Sequence, residues 1–579
     1  MIQIKDLAFE YFDRDDDGNL TEMIRAIRGI CFDAKKGDFI AIAGKNGSGK
    51  STFAKILNRL LVPIEGTILI GGLDAMEEKN TIPIRKQVGM VFQNPDDQLI
   101  GSVVAEDVAF GAENLGVPGN DLWQRVTNAV EQAGLSISVD KRINELSGGE
   151  RQKVAIAGVL AMQPSCIVLD EATSMLDPKS RQDILNTMKQ LNEDYGITII
   201  MITHRMEELL FAKQIFIMHR GHLVMQGRKE AIFSKEEKLL EYGLECPAVV
   251  LIAKELYRQG IIRTDALYTV SDIAKEIYKM HRECFTDKTD MPQIGLATPK
   301  IDPVNAVLID HVSFSYGKRQ VLSDISLSVK KGEYVVLMGA TGSGKSTLLQ
   351  MIPALLKPDK GTVYVDGRDV FDRTTNKREL RSKIGYVFQY PEHQLFAKNV
   401  YEDVVFGPRN IGVSEIEAEK RAYESIELVG LPQDVYDLSM DKLSGGQKRR
   451  VALAGVLAMK PEYLILDEPF AGLDPKGKRE MQQIIDILHK DAGITIFMVS
   501  HDAECAWEYA DRIYAMQDGK IVCGGRPDEV FYHMRDELAN LPAIMQLLVN
   551  LREMGLPVNC APLNTDGILE ICNAIALFE

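Results

Sequence analysis

The chain has 579 residues, 45% of them apolar and 26% charged, and 67 Lys plus Arg against 83 Asp plus Glu leave a net charge of −16. At roughly 150 residues per domain that is room for about four domains, and the composition is that of an ordinary globular protein, which excludes wholesale disorder. An acidic balance argues against nucleic acid as a partner, because a polyanion wants a basic face.

No run reaches the about 18 apolar residues that a membrane span needs, and the start, MIQIKDLAFEYF, lacks a basic segment followed by an apolar one. Neither a direct membrane span nor a secretory leader is therefore expected. The eight cysteines have no metal-ligand spacing. They are read as reduced thiols that fill cores.

In chain order, the first half opens with a predicted strand pair interrupted by Asp13-x-Asp15-x-Asp17-Gly18. This begins like a calcium loop, but Ile24 stands where a bidentate Glu is needed, so an acidic hairpin insertion is expected instead. Asp38 to Ala43 is a short apolar strand that enters a glycine-rich turn, and TFAKILNRLL then reads as helix. Between Gln93 and Ser147 the periodicity is helical, as in DLWQRVTNAVEQAGL, which suggests a helical subdomain inserted into the core. Further apolar strands end at Asp170/Glu171 and at His204. Such runs suit a mostly parallel sheet covered on both faces, with functional groups at the carboxyl ends of its strands.

The same order then repeats. GKNGSGKST at 44–52 returns as GATGSGKST at 339–347, VFQNPDDQL at 91–99 as VFQYPEHQL at 387–395, and LSGGE at 146–150 as LSGGQ at 443–447. The offset grows only from 295 at Lys50/Lys345 to 297 at Ser147/Ser444, so one fold is duplicated. The join is expected near 285–305, which carries Pro292, Pro299 and Pro303 and no hydrophobic periodicity.

Both glycine-rich turns fit the P-loop pattern. The candidate nucleotide-binding residues are Gly44, Lys45, Asn46, Gly47, Ser48, Gly49, Lys50, Ser51 and Thr52 in the first half. In the second they are Gly339, Ala340, Thr341, Gly342, Ser343, Gly344, Lys345, Ser346 and Thr347. Glycines let successive N–H groups face the phosphates, and the following helix turns its positive end toward them. Lys50 and Lys345 are expected to reach the β- and γ-phosphates of ATP, and the Ser51 and Ser346 hydroxyls to ligate Mg²⁺. Asp170 and Asp467, strand-end carboxylates in need of a cation, are candidate Mg²⁺ ligands. Glu171 and Glu468 follow and point to the other side, where they can polarise a water against the γ-phosphate. Ser147 and Ser444 stand where a helix N-cap belongs, each followed by two glycines (Gly148 and Gly149, Gly445 and Gly446), which makes a second anion-binding terminus in each half.

P-loop, glutamine loop, LSGG, DE and strand-end histidine, in that order, resemble the ATP-binding cassette (ABC) ATPases over roughly 1–235 and 305–535. The resemblance implies an α/β fold of two tandem ABC-type P-loop domains. Each would have a RecA-like, mostly parallel core, an N-terminal antiparallel β subdomain and an inserted helical subdomain. It implies domains at 1–240 and 305–537, with C-terminal helical extensions at 241–304, which includes the linker, and at 538–579. It makes His204 and His501 catalytic with Glu171 and Glu468, gives Gln93 and Gln389 catalytic and metal-ligating roles, and has Tyr11 and Tyr316 stack on adenine. It further implies intramolecular pairing of the halves, each LSGG serine completing the other half's ATP site.

The wording VFQNPDDQL with DEATSMLDP, and VFQYPEHQLF with DEPFAGLDP, resembles the two ATPase subunits of energy-coupling factor (ECF) transporters, fused in one chain. That family powers import of vitamins or transition-metal ions. Its partners are a transmembrane coupling protein and a substrate-binding membrane protein, and the ATPases lie peripherally on the cytoplasmic face of the membrane. The alternatives are a soluble tandem ABC ATPase acting on ribosomes or DNA, and the fused ATPase of a sugar importer. The first would want a long charged linker and a basic surface; the second typically has one degraded half, whereas both halves here keep Lys, Gln, Asp, Glu and His.

Overall fold

A computed structural model describes residues 1–14, 20–284, 306–389, 394–534, 541–558 and 567–576. The chain divides into two units, Met1–Leu251 with Asp474–Lys476, and Ile252–Leu473 with Gly477–Glu579. The proline-rich stretch 285–305, residues 15–19 of the acidic insertion, and Cys560 lie outside the described residues.

In unit 1, five short apolar runs form the parallel part of a six-stranded sheet. Its strands are β3 (Phe39–Ala43), β6 (Val88–Val91), β7 (Cys166–Asp170), β8 (Thr198–Thr203), β9 (Gln214–His219) and β10 (His222–Gly227), in the order β10-β9-β3-β8-β7-β6. The pairings from β6 to β9 are parallel, and only β10 runs antiparallel at the edge. Every residue of β3, β7 and β8 is buried, as an unbroken apolar run requires when helices cover both faces. A second, antiparallel sheet joins β1 (Ile2–Arg14) and β2 (Leu20–Ala34) to β4 (Glu65–Ile70) and β5 (Leu73–Asp74). Phe32 of that sheet packs on Phe53 and on Phe216 of β9, with ring centroids 5.3 and 5.0 Å apart. Each such side chain, once buried, contributes roughly 1.5–3 kcal/mol, so the two sheets share one core. The helices Val104–Asn114, Gly119–Gln132 and Gly148–Ala161 pack on one another as the inserted subdomain.

Unit 2 repeats the plan. An antiparallel sheet holds β11 (Val307–Tyr316), β12 (Arg319–Val329), β14 (Lys360–Val365) and β15 (Arg368–Asp369). The six-stranded sheet contains β13 (Tyr334–Gly339), β16 (Ile384–Val387), β17 (Tyr463–Asp467), β18 (Thr495–Val499), β19 (Arg512–Gln517) and β20 (Lys520–Gly525), in the order β16-β17-β18-β13-β19-β20. Its helical insert is Val400–Ile411, Glu415–Leu428 and Gly445–Leu457. The fold is α/β, with two tandem domains of the expected architecture.

After each half a segment runs from a proline to a glycine, Pro247 to Gly260 and Pro542 to Gly555, and both are helical, at Ala248–Arg258 and Ala543–Glu553. Gly260 and Gly555 follow with φ of +77° and +107°, a left-handed exit that glycine takes without strain. Within unit 2, the helix Val270–Met280 packs against Ala543–Glu553, and the Cys284 thiol donates to the Ile575 carbonyl at 3.8 Å. The cysteines among the described residues are unbridged and mostly buried. Burial pushes the Cys166 thiol up to about 12, in keeping with a small core filler.

Candidate functional site

Each P-loop leaves the carboxyl end of a central strand and turns through a glycine at φ +100°, Gly49 or Gly344, into the helix Lys50–Leu57 or Lys345–Leu349. A β-carbon on Gly44 would stand 2.3 Å from the Met218 carbonyl oxygen, and one on Gly339 2.2 Å from that of Met516. Backbone approaches backbone there too closely for any side chain. Lys50 Nζ donates to the carbonyls of Gly44 (2.8 Å) and Lys45 (3.0 Å); Lys345 Nζ donates to Gly339 and Ala340, both at 2.8 Å. Burial lowers the Lys50 pKa although Glu171 and Asp170 oppose the shift. A buried ammonium of this kind gains from a multiply charged anion.

The strand-end carboxylates lie beside the loops. Ser51 Oγ donates to Asp170 Oδ1 at 2.8 Å. In the second half Asp467 Oδ2 accepts from Tyr386 (3.4 Å), and the Ser346 hydroxyl beside the carboxylate favours its charged form against the larger effect of burial. Burial raises the pKa of both aspartates. Each is an anion desolvated without full compensation, and a cation would supply it. Among the described residues no cluster of three His, Cys, Asp or Glu could hold a metal unaided. One carboxylate and one hydroxyl, with phosphate and water completing the shell, is a donor set that suits Mg²⁺.

Glu171 and Glu468 adopt left-handed backbone, φ 49° and 50°. Non-glycine residues seldom do so, and such strain concentrates at functional sites. The turn aims each carboxylate at a strand-end histidine: His204 Nδ1 lies 3.0 Å from Glu171 Oε2, and His501 Nδ1 2.9 Å from Glu468 Oε2. Burial pushes the Glu171 pKa up, but the His204 hydrogen bond and the His204 and Lys50 charges outweigh it, and the net shift is down. The carboxylate is thus kept ionised and able to accept a proton.

Gln93 Nε2 donates to Ser174 Oγ at 3.3 Å, which ties the glutamine loop to the segment after Glu171. Tyr11 OH shares a hydrogen bond with Thr52 Oγ1 at 3.1 Å, so its half-exposed ring stands over the P-loop end. Tyr316 is 54% exposed and packs edge-on against Phe314. Ser147 and Ser444 do cap helices. Each accepts from the N–H three residues on (Glu150, Gln447; both 3.3 Å), whose side chain returns to the serine N–H at 2.8 and 2.9 Å. Gly148 and Gly149, and Gly445 and Gly446, form the first turns.

Sequence reasoning missed the groups that fix the loops. The second glutamine of VFQNPDDQL, Gln98, accepts from Phe92 N–H at 3.0 Å and closes the loop on itself. Asp107 accepts from the N–H groups of Ile100 and Gly101 at 2.7 and 2.9 Å, and Asp403 from Phe396 and Ala397 at 3.0 Å each. Their recurrence at equal spacing in both halves was the available signal.

A strand, a phosphate-sized glycine loop, a metal-fit carboxylate and a histidine-held glutamate, present twice, define a tandem P-loop nucleoside triphosphatase. The chain matches the ABC transporter family over residues 27–174 and 322–471 and belongs to that family. It is 34% identical over 559 residues to a protein of Methanosarcina acetivorans named as an ABC transporter ATP-binding protein, covering 92% of this chain and 89% of that one. A protein of Caldanaerobacter subterraneus with the same type of name is 32% identical over 550 residues, covering 92% of each. Among solved structures, CbiO1 of Clostridium perfringens, described as part of the ABC transporter complex CbiONQ, is 35% identical over 42% of this chain and 93% of that one, with TM-score 0.37. The ATP-binding cassette MJ0796, solved as a dimer with ADP and Pi, is 29% identical over 39% of this chain and 98% of that one, with TM-score 0.36. The protein is an ATP-binding, ATP-hydrolysing subunit of an ABC transporter.

Proposed function

We propose that this subunit powers ECF-type import of a vitamin or transition-metal ion through separate membrane proteins, from the cytoplasmic face of the membrane. The ATPase halves would be 1–240 and 305–537. The observation that carries the reading is the complete set in both halves: Lys, Gln, Asp, Glu and His are all present, and both glutamate–histidine pairs are formed. The paired wording of the glutamine loops and DE segments narrows the class to the ECF type.

In this reading Lys50 and Lys345 turn from the loop carbonyls to the phosphates, which the P-loop N–H groups also hold. Ser51, Asp170 and Gln93 would hold Mg²⁺ in the first half, and Ser346, Asp467 and Gln389 in the second. Bound there, it would draw charge from the phosphate oxygens. Glu171 and Glu468 take the proton of the attacking water, and His204 and His501 fix the carboxylates against it. Tyr11 and Tyr316 offer ring faces to adenine.

Exposed apolar side chains beyond each glutamine loop support a membrane partner. Ile100 and Phe110 are 63% and 48% exposed, and Phe396 and Phe406, at the matching places, 66% and 48%. Among the described residues no helix is long and apolar enough to cross a membrane. The test is mild detergent extraction of the native complex and identification of the proteins retained. A coupling protein and a small substrate-binding membrane protein are expected; retention of ribosomes, DNA or sugar-permease subunits would overturn the reading.

A further inference from the structure

The two halves tie the glutamine loop to the hydrolytic segment by different means. Arg449, buried in the helix after LSGGQ, donates through one guanidinium nitrogen to the carbonyls of Glu468 (2.9 Å) and Pro469 (2.8 Å). Its other terminal nitrogen donates to the carbonyl of Gln389 (3.2 Å). One rigid fork therefore grips both loops by their backbones. The matching residue of the first half is Gln152, which is shorter. Its amide donates to the Phe92 carbonyl at 3.3 Å, and its buried Oε1 has no partner. There the link runs instead through side chains, Gln93 Nε2 to Ser174 Oγ. That route is closed in the second half, where Ala471 replaces Ser174.

We propose that Arg449 is a positioning residue of the Lys345 site. It transmits displacement of the glutamine loop to Glu468 through the backbone, whereas the Lys50 site uses the Gln93–Ser174 bond. The argument rests on the hydrolytic role proposed above for Glu468. A guanidinium suits the task because its planar donors can reach three carbonyls at once, and glutamine, with two donors and one acceptor, cannot.

The test compares Arg449→Gln, Arg449→Gln with Ala471→Ser, and the parent, all as full chains. For Arg449→Gln, kcat for ATP is expected to fall to about half or less, the share the other site sustains, with KM within about twofold. Ala471→Ser, by supplying the first half's hydroxyl to Gln389, is expected to return kcat toward the parent. A buried cation needed only for stability would not be rescued by a hydroxyl at 471. Parental kcat in Arg449→Gln overturns the proposal, as does absence of recovery in a double variant that melts and binds ATP like the parent. Should Arg449→Gln melt early, Arg449→Lys is read instead. It keeps a cationic donor and is expected to give an intermediate kcat; a parental melt with parental kcat refutes the role. Glu468→Gln serves as a control: parental hydrolysis there would sink the role of Glu468 itself and leave the Arg449 link undamaged as geometry.

Discussion

His204 Nδ1 stands 3.0 Å from Glu171 Oε2, and the carboxylate's other oxygen lies 3.6 Å from Lys50 Nζ. One side chain thus joins the strand-end histidine to the P-loop lysine, and its own backbone is turned left-handed to do so. Glu171→Gln keeps the shape and the hydrogen bond but cannot take a proton. The double variant with Glu468→Gln is expected to bind ATP as the parent does and to lose about 10²–10⁴-fold in hydrolysis, the scale of a lost general base. Rapid-mix phosphate release with parallel nucleotide binding checks this, and a parental rate would exclude both residues.

The buried Asp467 carboxylate, beside the Ser346 hydroxyl, gives a metal prediction. Asp467→Asn should leave nucleotide affinity in EDTA within about twofold. It should remove most of the gain in affinity that Mg²⁺ brings to that site, since an amide oxygen is a weaker ligand than a carboxylate for a hard cation. Titration of fluorescent ATP with and without Mg²⁺ reads the difference. An unchanged Mg²⁺ gain would place the ion elsewhere.

Much of this was legible because the chain repeats its chemistry. Strand ends at Asp170, His204, Asp467 and His501 were visible as apolar runs that stop at a polar residue, and Ser147 and Ser444 showed as helix caps by position alone. Arg449 was hidden inside a basic helical run, QKRR, where charge ordinarily means a solvated face. Nothing local says that this arginine turns inward, because its carbonyl partners are carried there by two distant strands. Tyr386 was hidden likewise, its hydroxyl reaching Asp467 from a neighbouring strand whose apolar pattern it merely continues.

Gly44→Ala should abolish nucleotide binding at the first site. The added carbon would meet the Met218 carbonyl oxygen at 2.3 Å, and backbone cannot yield as a side-chain tip can. Gly119→Ala is the control, since nothing lies within 4 Å of a β-carbon there; its helix and the labelling of the first P-loop should be intact. Photo-crosslinking with an azido-ATP analogue and peptide mapping distinguishes the sites. Labelling of the first P-loop in Gly44→Ala at the parental level would refute the close approach.

The last prediction uses the one titratable difference between the helix caps. Burial raises the pKa of Glu150, but hydrogen bonds from the Ser147 N–H and hydroxyl and from Lys141 outweigh it, and the net shift is below the ordinary 4.5. A carboxylate depressed on folding stabilises the folded state above its unfolded pKa, and that stabilisation is lost as pH falls through the folded value. Gln447 makes the same cap in the second half with no proton to gain. As pH falls from 7 to well below 4.5, amide exchange corrected for intrinsic rate should therefore quicken at the start of Gly148–Ala161 while Gly445–Leu457 stays level. Glu150→Gln should remove the difference, because an amide oxygen still accepts from the Ser147 N–H and does not titrate. Equal acid response of the two helices, or an unchanged response in Glu150→Gln, would show that the cap charge does not govern this terminus.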